Sequence, residues 1–159
     1  MDTKVLTRTA LFMALVTVAT MVVNIPIPAT KGYLNASETA VFLSAALLPV
    51  PYGIVAAGFG CALADILLGY TYYAPATLII KAIEAAGAIF LMKRIKLPVV
   101  VVFALASLLM PLGYFLYEVM LYGVAAASAA AIPNLLQGLF GAVLAGIIHP
   151  VLKSLFPQA

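Results

Sequence analysis

The stretch that decides the fold is Tyr70–Glu84, YTYYAPATLIIKAIE. It opens with three tyrosines in four residues, turns at Pro75 and continues as an apolar helix. That helix carries Lys81 and Glu84 three residues apart, so two opposite charges share one helical face in a segment apolar enough to lie in lipid. An ionised side chain at the centre of a bilayer costs about 2.5–3.5 kcal/mol on insertion scales, and such residues usually carry function. We therefore interpret this pair as part of a functional site.

The composition predicts an all-α integral membrane protein. Of 159 residues, 66% are apolar and 8% are charged, whereas a soluble domain carries about 25% charged residues. The net charge of +3 comes from few basic residues that never interleave with polar surface, which argues against a nucleic-acid partner. With one cysteine, Cys61, and one histidine, His149, we expect no disulfide and no metal site.

Proline and glycine breaks divide the chain into six predicted helices within a single domain, residues 1–159. The polar segment PIPATKGYLN after the first helix is expected to be a loop, and Ser37 is a candidate N-cap. The first apolar run is too long for a signal peptide and no cleavage site follows it, so we expect a retained helix. The predicted helices are about Val5–Ile25, Ser37–Leu48, a glycine-rich third helix that follows Pro51 and runs to Gly69, Pro75–Arg94, Leu97–Gly123 with a bend near Pro111, and Pro133–Leu155 after an alanine-rich linker.

The basic residues predict the orientation in the membrane. Under this topology only Lys31 falls in a loop on one side of the bilayer. The positive-inside rule therefore places both termini of this multi-pass membrane protein in the cytoplasm. The basic residues on the predicted cytoplasmic side are Lys4, Arg8, Lys93, Arg94, Lys96 and Lys153.

Polar residues gather on the outer side when depth is counted at about 1.5 Å per residue. Every acid inside a predicted helix falls in the outer half, together with Lys81 and seven of the eight tyrosines. We predict a binding cavity that opens to the outside. The candidate substrate-binding residues are Lys31, Tyr33, Asn35, Glu38, Tyr73, Lys81, Glu84, Tyr114, Tyr117, Glu118, Asn134 and Gln137.

Several of these residues also have a purely structural explanation. Tyrosines form belts at membrane interfaces, although belts normally occupy both sides and these gather on one. Lys81 and Glu84 could neutralise each other, and an acid such as Glu38 at a helix start is favoured by the helix dipole. Asp65 is interpreted as a helix-packing residue held by hydrogen bonds, and His149 as a structural histidine near the cytoplasmic face.

Small residues on the first helix offer a second surface. Ala10 and Ala14 are four residues apart, a spacing that lets another helix approach closely in lipid. The pattern fits packing inside the bundle, and it also fits docking of a partner protein.

Two long segments carry a resemblance to a known family. Tyr33–Gly69, YLNASETAVFLSAALLPVPYGIVAAGFGCALADILLG, and Tyr73–Gly87, which begins YAPATLIIKAIEA, resemble the substrate-binding S components of energy-coupling factor (ECF) vitamin transporters. The resemblance covers nearly the whole chain and is strongest to the riboflavin- and hydroxymethylpyrimidine-type branch. One departure is Ser37-Glu38, where many relatives carry Gly-Asp.

The resemblance implies a vitamin-binding protein of the prokaryotic plasma membrane with no catalytic residue and no cofactor of its own. Its partners would be a shared transmembrane coupling subunit and two ATPase subunits, which use the ATP. The spacing of Ala10 and Ala14 is similar to the one with which S components dock on the coupling subunit. The ligand would lie near the outer surface under the first loop, where the polar cluster falls independently.

The charge of the outer half suggests a substrate class. The outer half holds four acids and two lysines, Lys31 and Lys81. This excess of negative charge disfavours a strongly anionic ligand. We expect a small neutral or weakly basic heteroaromatic vitamin or precursor, such as hydroxymethylpyrimidine or a pyridoxine-like ring. Riboflavin, which is neutral but larger, is the alternative.

Two other function classes stay open. A stand-alone ion-coupled secondary transporter could use intramembrane acids, but the sequence shows no inverted repeat. An intramembrane enzyme would need a nucleophile and a base, and His149 lies too far from the outer acids to supply the base.

Overall fold

The computed structural model describes residues 2–155, which form seven α-helices and one short antiparallel hairpin. The first helix begins at an aspartate N-cap, since Asp2 accepts a hydrogen bond from the Lys4 amide at 2.9 Å. The described elements are α1 (Thr3–Val22), β1 (Ile25–Ile27), β2 (Gly32–Leu34), α2 (Ser37–Leu47), α3 (Tyr52–Leu67), α4 (Ala74–Arg94), α5 (Val99–Ala106), α6 (Leu109–Tyr122) and α7 (Val124–Leu155).

Close contacts fix α1 against α3. A Cβ on Gly60 would lie 2.8 Å from Val16, so the two helices touch with no room for a larger residue. Thr17 Oγ1 also donates to the Gly60 carbonyl at 2.9 Å. The second half of α1 therefore lies beside the second half of α3, and both helices finish at the same end of the bundle.

The segment predicted as a polar loop is a two-stranded hairpin. α1 ends at Val22 rather than at Ile25, and β1 pairs antiparallel with β2, with Pro26 opposite Tyr33. Proline cannot continue a helix and its isoleucine neighbours favour extended backbone, which accounts for the strand. Lys31 takes a left-handed conformation with a φ of 53° in the connecting turn.

α2 occupies the centre of the bundle. Ten of its eleven residues are buried, and it packs against α1, α3, α4 and α7. Phe42 stacks on Phe103 of α5 with ring centroids 5.0 Å apart. The predicted N-cap, Ser37, is instead the first helical residue, and its amide donates to Asn35 Oδ1 at 2.9 Å.

The predicted fifth helix is two helices, α5 and α6. α5 ends at Ala106 and α6 begins at Leu109, so the helix is interrupted just before Pro111. Proline has no amide hydrogen for the carbonyl four residues earlier, and its ring clashes with that carbonyl, which belongs to Ser107. The break therefore lies at Ser107 rather than at the proline itself.

The sixth predicted helix begins nine residues too late. The alanine-rich segment before Pro133 was expected to be a linker, but α7 starts at Val124 and includes Pro133. Alanine has the highest helix propensity, so a run of alanines continues a helix. Asn134 and Gln137 therefore lie 10 and 13 residues after Val124, well inside α7, rather than at its start.

The helices confirm an all-α membrane protein, apart from the hairpin. Four segments among the described residues are long and apolar enough to cross a bilayer: α1, α4, the α5–α6 pair and α7. α2 and α3 are apolar but have 11 and 16 residues, about 17 and 24 Å at 1.5 Å per residue. A hydrocarbon core is about 30 Å thick, so six complete crossings stay a prediction, as do the cytoplasmic termini.

Candidate functional site

A polar cavity lies beneath the hairpin, at the end of the bundle where α1 and α3 finish. The space open to the centre of a water molecule is about 30 Å³, which is room for one or two waters. Its walls come from the hairpin and from α1, α3, α4, α6 and α7. The lining residues are Thr20, Ile27, Gly32, Tyr33, Asn35, Cys61, Asp65, Tyr73, Thr77, Lys81, Tyr114, Glu118, Asn134 and Gln137.

Lys81 is the cation of the cavity, and two carboxylates hold it. Its side chain is 1% exposed, and its ammonium donates to Glu84 Oε2 at 3.0 Å and forms an ion pair with Glu38 of α2. Gln137 of α7 adds a hydrogen bond from Nε2 to Glu38 Oε1 at 3.1 Å. A buried charge is tolerated only when it is paired and hydrogen-bonded. The group thus ties α2, α4 and α7 together behind the cavity.

Lys81, Glu38 and Glu84, which we call the Lys81 group, combine two carboxyl groups with one ammonium. Glu38 and Glu84 are as buried as the lysine, with 1% and 0% exposure, and neither lines the cavity. One oxygen of each carboxylate, Glu38 Oε2 and Glu84 Oε1, has no hydrogen-bond partner among the described residues. Lys81 therefore presents hydrogen-bond donors to the cavity while its charge is neutralised from behind.

Two further carboxylates line the cavity and are each held by a tyrosine. The Tyr33 hydroxyl donates to Asp65 Oδ1 at 2.6 Å. The Tyr73 hydroxyl lies 3.0 Å from both Glu118 Oε1 and the Thr30 carbonyl oxygen, and with one hydrogen it donates to one of them at a time. The second oxygens, Asp65 Oδ2 and Glu118 Oε2, are buried and unpartnered in the described part of the chain. Both remain available to accept hydrogen bonds.

Tyrosine rings form the aromatic walls of the cavity. Tyr73 packs against Tyr117 edge-to-face at 5.4 Å and against Tyr114 at 6.3 Å between centroids. The Tyr114 ring lies 5.9 Å from the Lys81 ammonium, within reach of a cation–π contact. Its hydroxyl bonds Thr77 Oγ1 at 3.0 Å, so the ring is fixed at both its face and its tip.

Hydrogen bonds hold the hairpin over the cavity. The Tyr72 hydroxyl donates to the Lys31 carbonyl at 2.9 Å, and the Asn35 amide donates to Gln137 Oε1 at 2.8 Å. Burial, followed by the charge of the neighbouring Asp65, raises the pKa of Tyr33 above its ordinary value. Tyr33 therefore remains a neutral donor, and its bond to α3 persists over the physiological range.

Eight of the twelve residues predicted to bind substrate line this cavity, and four do not. Lys31 is exposed in the hairpin turn, and the Tyr117 hydroxyl donates to the Tyr72 carbonyl at the rim. Glu38 and Glu84 lie behind Lys81. The eight that line the cavity are Tyr33, Asn35, Tyr73, Lys81, Tyr114, Glu118, Asn134 and Gln137.

Sequence analysis missed several lining residues. Asp65 was interpreted as a packing residue, yet it lines the cavity, one helical turn after Cys61. Thr77 likewise lies one helical turn before Lys81. Asp65 and Thr77 therefore extend polar helix faces that the sequence already shows. Thr20 gave no such signal, because it is the only lining residue on α1.

Ala10 and Ala14 lie away from the cavity, on an exposed face of α1. Val16, on the opposite face, packs against Gly60 of α3, and Thr17, one turn after Ala14, also reaches α3 through its hydrogen bond to the Gly60 carbonyl. Within the described residues, no three His, Cys, Asp or Glu side chains come together as a metal-ligand set.

Two comparisons with known proteins match most of the chain. A family model described as "ECF-type riboflavin transporter, S component" matches residues 1–154. A protein of Pyrococcus woesei, named "Uncharacterized protein in gap 3'region", is 38% identical over 144 residues, which cover 87% of this chain and 94% of that protein. The family match includes every residue that lines the cavity.

Proposed function

Since the chain belongs to the family of ECF-type riboflavin transporter S components, we propose that it captures a small neutral or weakly basic heteroaromatic vitamin or precursor in the cavity beneath the hairpin. Hydroxymethylpyrimidine and a pyridoxine-like ring are the compounds that fit this class. Members of the family are membrane transport proteins rather than enzymes, and they work with a shared transmembrane component and ATPases.

The observation that carries the proposal is the mixture of fixed donors and free acceptors around aromatic walls. Lys81, Asn134 and Gln137 bring N–H groups to the cavity, whereas Asp65 and Glu118 bring unpartnered carboxylate oxygens. A heteroaromatic ring has a flat face for tyrosines and an edge with both donors and acceptors. Pockets of this composition, apolar walls with a few placed polar groups, are typical of small-molecule sites.

Charge supports a neutral or weakly basic ligand. Asp65 and Glu118 line the cavity, and the one lining cation, Lys81, is already matched by Glu38 and Glu84. An anionic ligand would approach an excess of negative charge in a poorly solvated site. A ligand that donates hydrogen bonds to the two free carboxylate oxygens is favoured instead.

Riboflavin is the second candidate, because the description of the matching family model names it. Its ribityl hydroxyls would suit the carboxylate oxygens. Its three-ring system requires more space than a single ring does. The cavity, with about 30 Å³ open, would therefore have to widen further for riboflavin. A direct comparison of the two ligand classes separates the candidates.

The test is to purify the protein and identify any small molecule that co-elutes, then to titrate single-ring vitamins and riboflavin. Quenching of tyrosine fluorescence reports binding, since the chain contains no tryptophan. Tyr52→Phe is a matched control, because Tyr52 begins α3 at the opposite end of the bundle. Saturable binding of a single-ring compound supports the proposal. Uptake into vesicles that contain no ATPase would contradict it and favour an ion-coupled carrier.

Docking on the shared transmembrane component is proposed at Ala10 and Ala14. Both are small and lie on an exposed face of α1, where a partner helix could approach closely. Ala14→Leu should reduce uptake with the assembled transporter and leave ligand binding unchanged. Ala129→Leu, the same change at an exposed site on α7, should leave both unchanged. Loss of binding in Ala14→Leu would show a folding role instead.

A further inference from the structure

A second and larger cavity lies at the other end of the bundle. It is bounded by the α2–α3 turn, the end of α4, the start of α5 and the end of α7, and about 580 Å³ of it is open to the centre of a water molecule. Ligand pockets span about 300–1,000 Å³. Lys93, Lys153 and His149 line it. We propose that this cavity binds the phosphate headgroup and upper acyl chain of an anionic membrane lipid.

The described lining of this cavity carries positive charge and no acid. Lys93 lies in the last turn of α4 and Lys153 in the last turn of α7. Neither makes an ion pair within the described part of the chain, and no acid is among the lining residues. Of the five acids, four belong to the site beneath the hairpin, and Asp2 caps α1. Two lysines from distant parts of the chain thus line one cavity, and its described lining offers no acid to neutralise them.

His149 adds a placed hydrogen-bond donor. It precedes Lys153 by four residues, so the two side chains share one face of α7. Its ring packs edge-to-face on Phe103 at 6.2 Å between centroids, and Phe103 is fully buried. The contact fixes the ring at the cavity wall, and its nitrogens make no hydrogen bond to another described residue. A phosphate oxygen is an acceptor of the kind that an imidazole N–H and two ammonium groups bind.

The apolar part of the cavity favours a lipid over free phosphate. Leu48, Ile89 and Val102 line it beneath the basic residues. A hydrated inorganic anion gains nothing from such a surface, whereas the glycerol and first methylenes of an acyl chain bury apolar area there. The basic rim lies at helix ends, which is the level of the headgroups, and basic pockets between membrane helices bind anionic headgroups.

The test is native mass spectrometry of the detergent-solubilised full chain with short-chain phosphatidylglycerol. We expect one retained lipid, and we expect the double variant Lys93→Gln/Lys153→Gln to weaken its apparent affinity about 30-fold, the loss typical of two lysines near an anionic surface. Lys4→Gln/Lys96→Gln removes the same charge from basic residues that do not line the cavity, and it should retain the lipid. Both double variants should keep ligand binding beneath the hairpin, which shows that they are folded.

Three results would overturn the proposal. The first is an equal loss in the two double variants, since net charge alone would then explain binding. The second is equal retention of phosphatidylcholine, or an equal effect of inorganic phosphate, since the site would then lack the combined selectivity for anion and chain. The third is unchanged lipid binding in Lys93→Gln/Lys153→Gln together with loss of assembly with the coupling subunit, which would make this end a protein interface.

Discussion

Replacement of Lys81 with methionine is the change that most directly tests the buried charge group. Methionine keeps an unbranched apolar side chain of similar reach but removes the ammonium. Glu38 and Glu84, with 1% and 0% exposure, would then face each other across the vacated position with no cation. Two adjacent buried carboxylates repel and are poorly solvated, so the folded state loses free energy.

The expected loss is large because the whole group is buried. Removal of one partner from a buried ion pair costs about 3–5 kcal/mol. For a chain of this size each kcal/mol lowers Tm by about 2–4 °C, so Lys81→Met should melt about 6–20 °C below the wild type. Lys96→Met changes the same residue type at an exposed site outside the group, and it should shift Tm by no more than about 2 °C.

A triple variant separates the charge from the shape of the side chain. Lys81→Met combined with Glu38→Gln and Glu84→Gln removes all three charges at nearly constant volume. Neutral replacements of buried ion groups are often tolerated, so most of the lost Tm should return. Thermal unfolding in detergent, followed by circular dichroism, measures all four proteins. If the triple variant melts as low as Lys81→Met, the loss comes from packing around Lys81, and the electrostatic explanation is refuted.

Three more changes test the site and its scaffold. Glu118→Gln keeps the volume but removes a charged acceptor, so ligand affinity in a tyrosine-fluorescence titration should fall about tenfold to a hundredfold; a change within twofold would remove Glu118 from the site. Gly141→Ala should lower Tm, because its Cβ would meet Glu38 Cβ at 2.1 Å, whereas Gly87→Ala meets only a terminal methyl of a leucine and should be milder. Equal losses would show that α7 can move away from α2. Tyr33→Phe removes the donor to the α3 carboxylate and should lower Tm by a constant amount below pH 10, because the pKa of Tyr33 is raised above its ordinary value of 10.0. The stabilisation is complete below that ordinary value and is lost only as the pH rises beyond it, so a difference that already shrinks below pH 9 would contradict this assignment.

The sequence predicted helices well where an apolar run ended at a proline or a charge. α4 begins one residue before the predicted Pro75 and ends at the predicted Arg94, since both ends carry their own signals. α7 was mispredicted because Pro133 looks like a helix start, while the alanine-rich segment before it contains a single polar residue, Ser128, which does not mark a face. Proline inside a helix needs neighbours that tolerate the missing hydrogen bond, and a single sequence does not show them.

The sequence could predict how far along its helix each site residue lies, but not which way its side chain points around the helix axis. Depth counting placed Glu38, Lys81, Glu84 and Glu118 at one end of the bundle, and all four lie there. It could not show that the lysine faces the cavity and that two of the acids lie behind it. The pairing of Lys81 with Glu38 joins residues 43 positions apart on different helices, and that contact depends on how α2 packs against α4.

The hairpin is held over the cavity by weaker contacts than those that hold the helices to one another. The helices around the cavity are in hard contact, since a Cβ on Gly60 would meet Val16 at 2.8 Å and one on Gly141 would meet Glu38 at 2.1 Å. The hairpin is held mainly by exchangeable hydrogen bonds from tyrosine hydroxyls and from Asn35. Each such bond contributes about 0.5–1.5 kcal/mol net, and a bound ring can replace several of them. We therefore expect a ligand that needs more than the 30 Å³ open in this structure to displace the hairpin and its tyrosines, while the Lys81 group stays in place below.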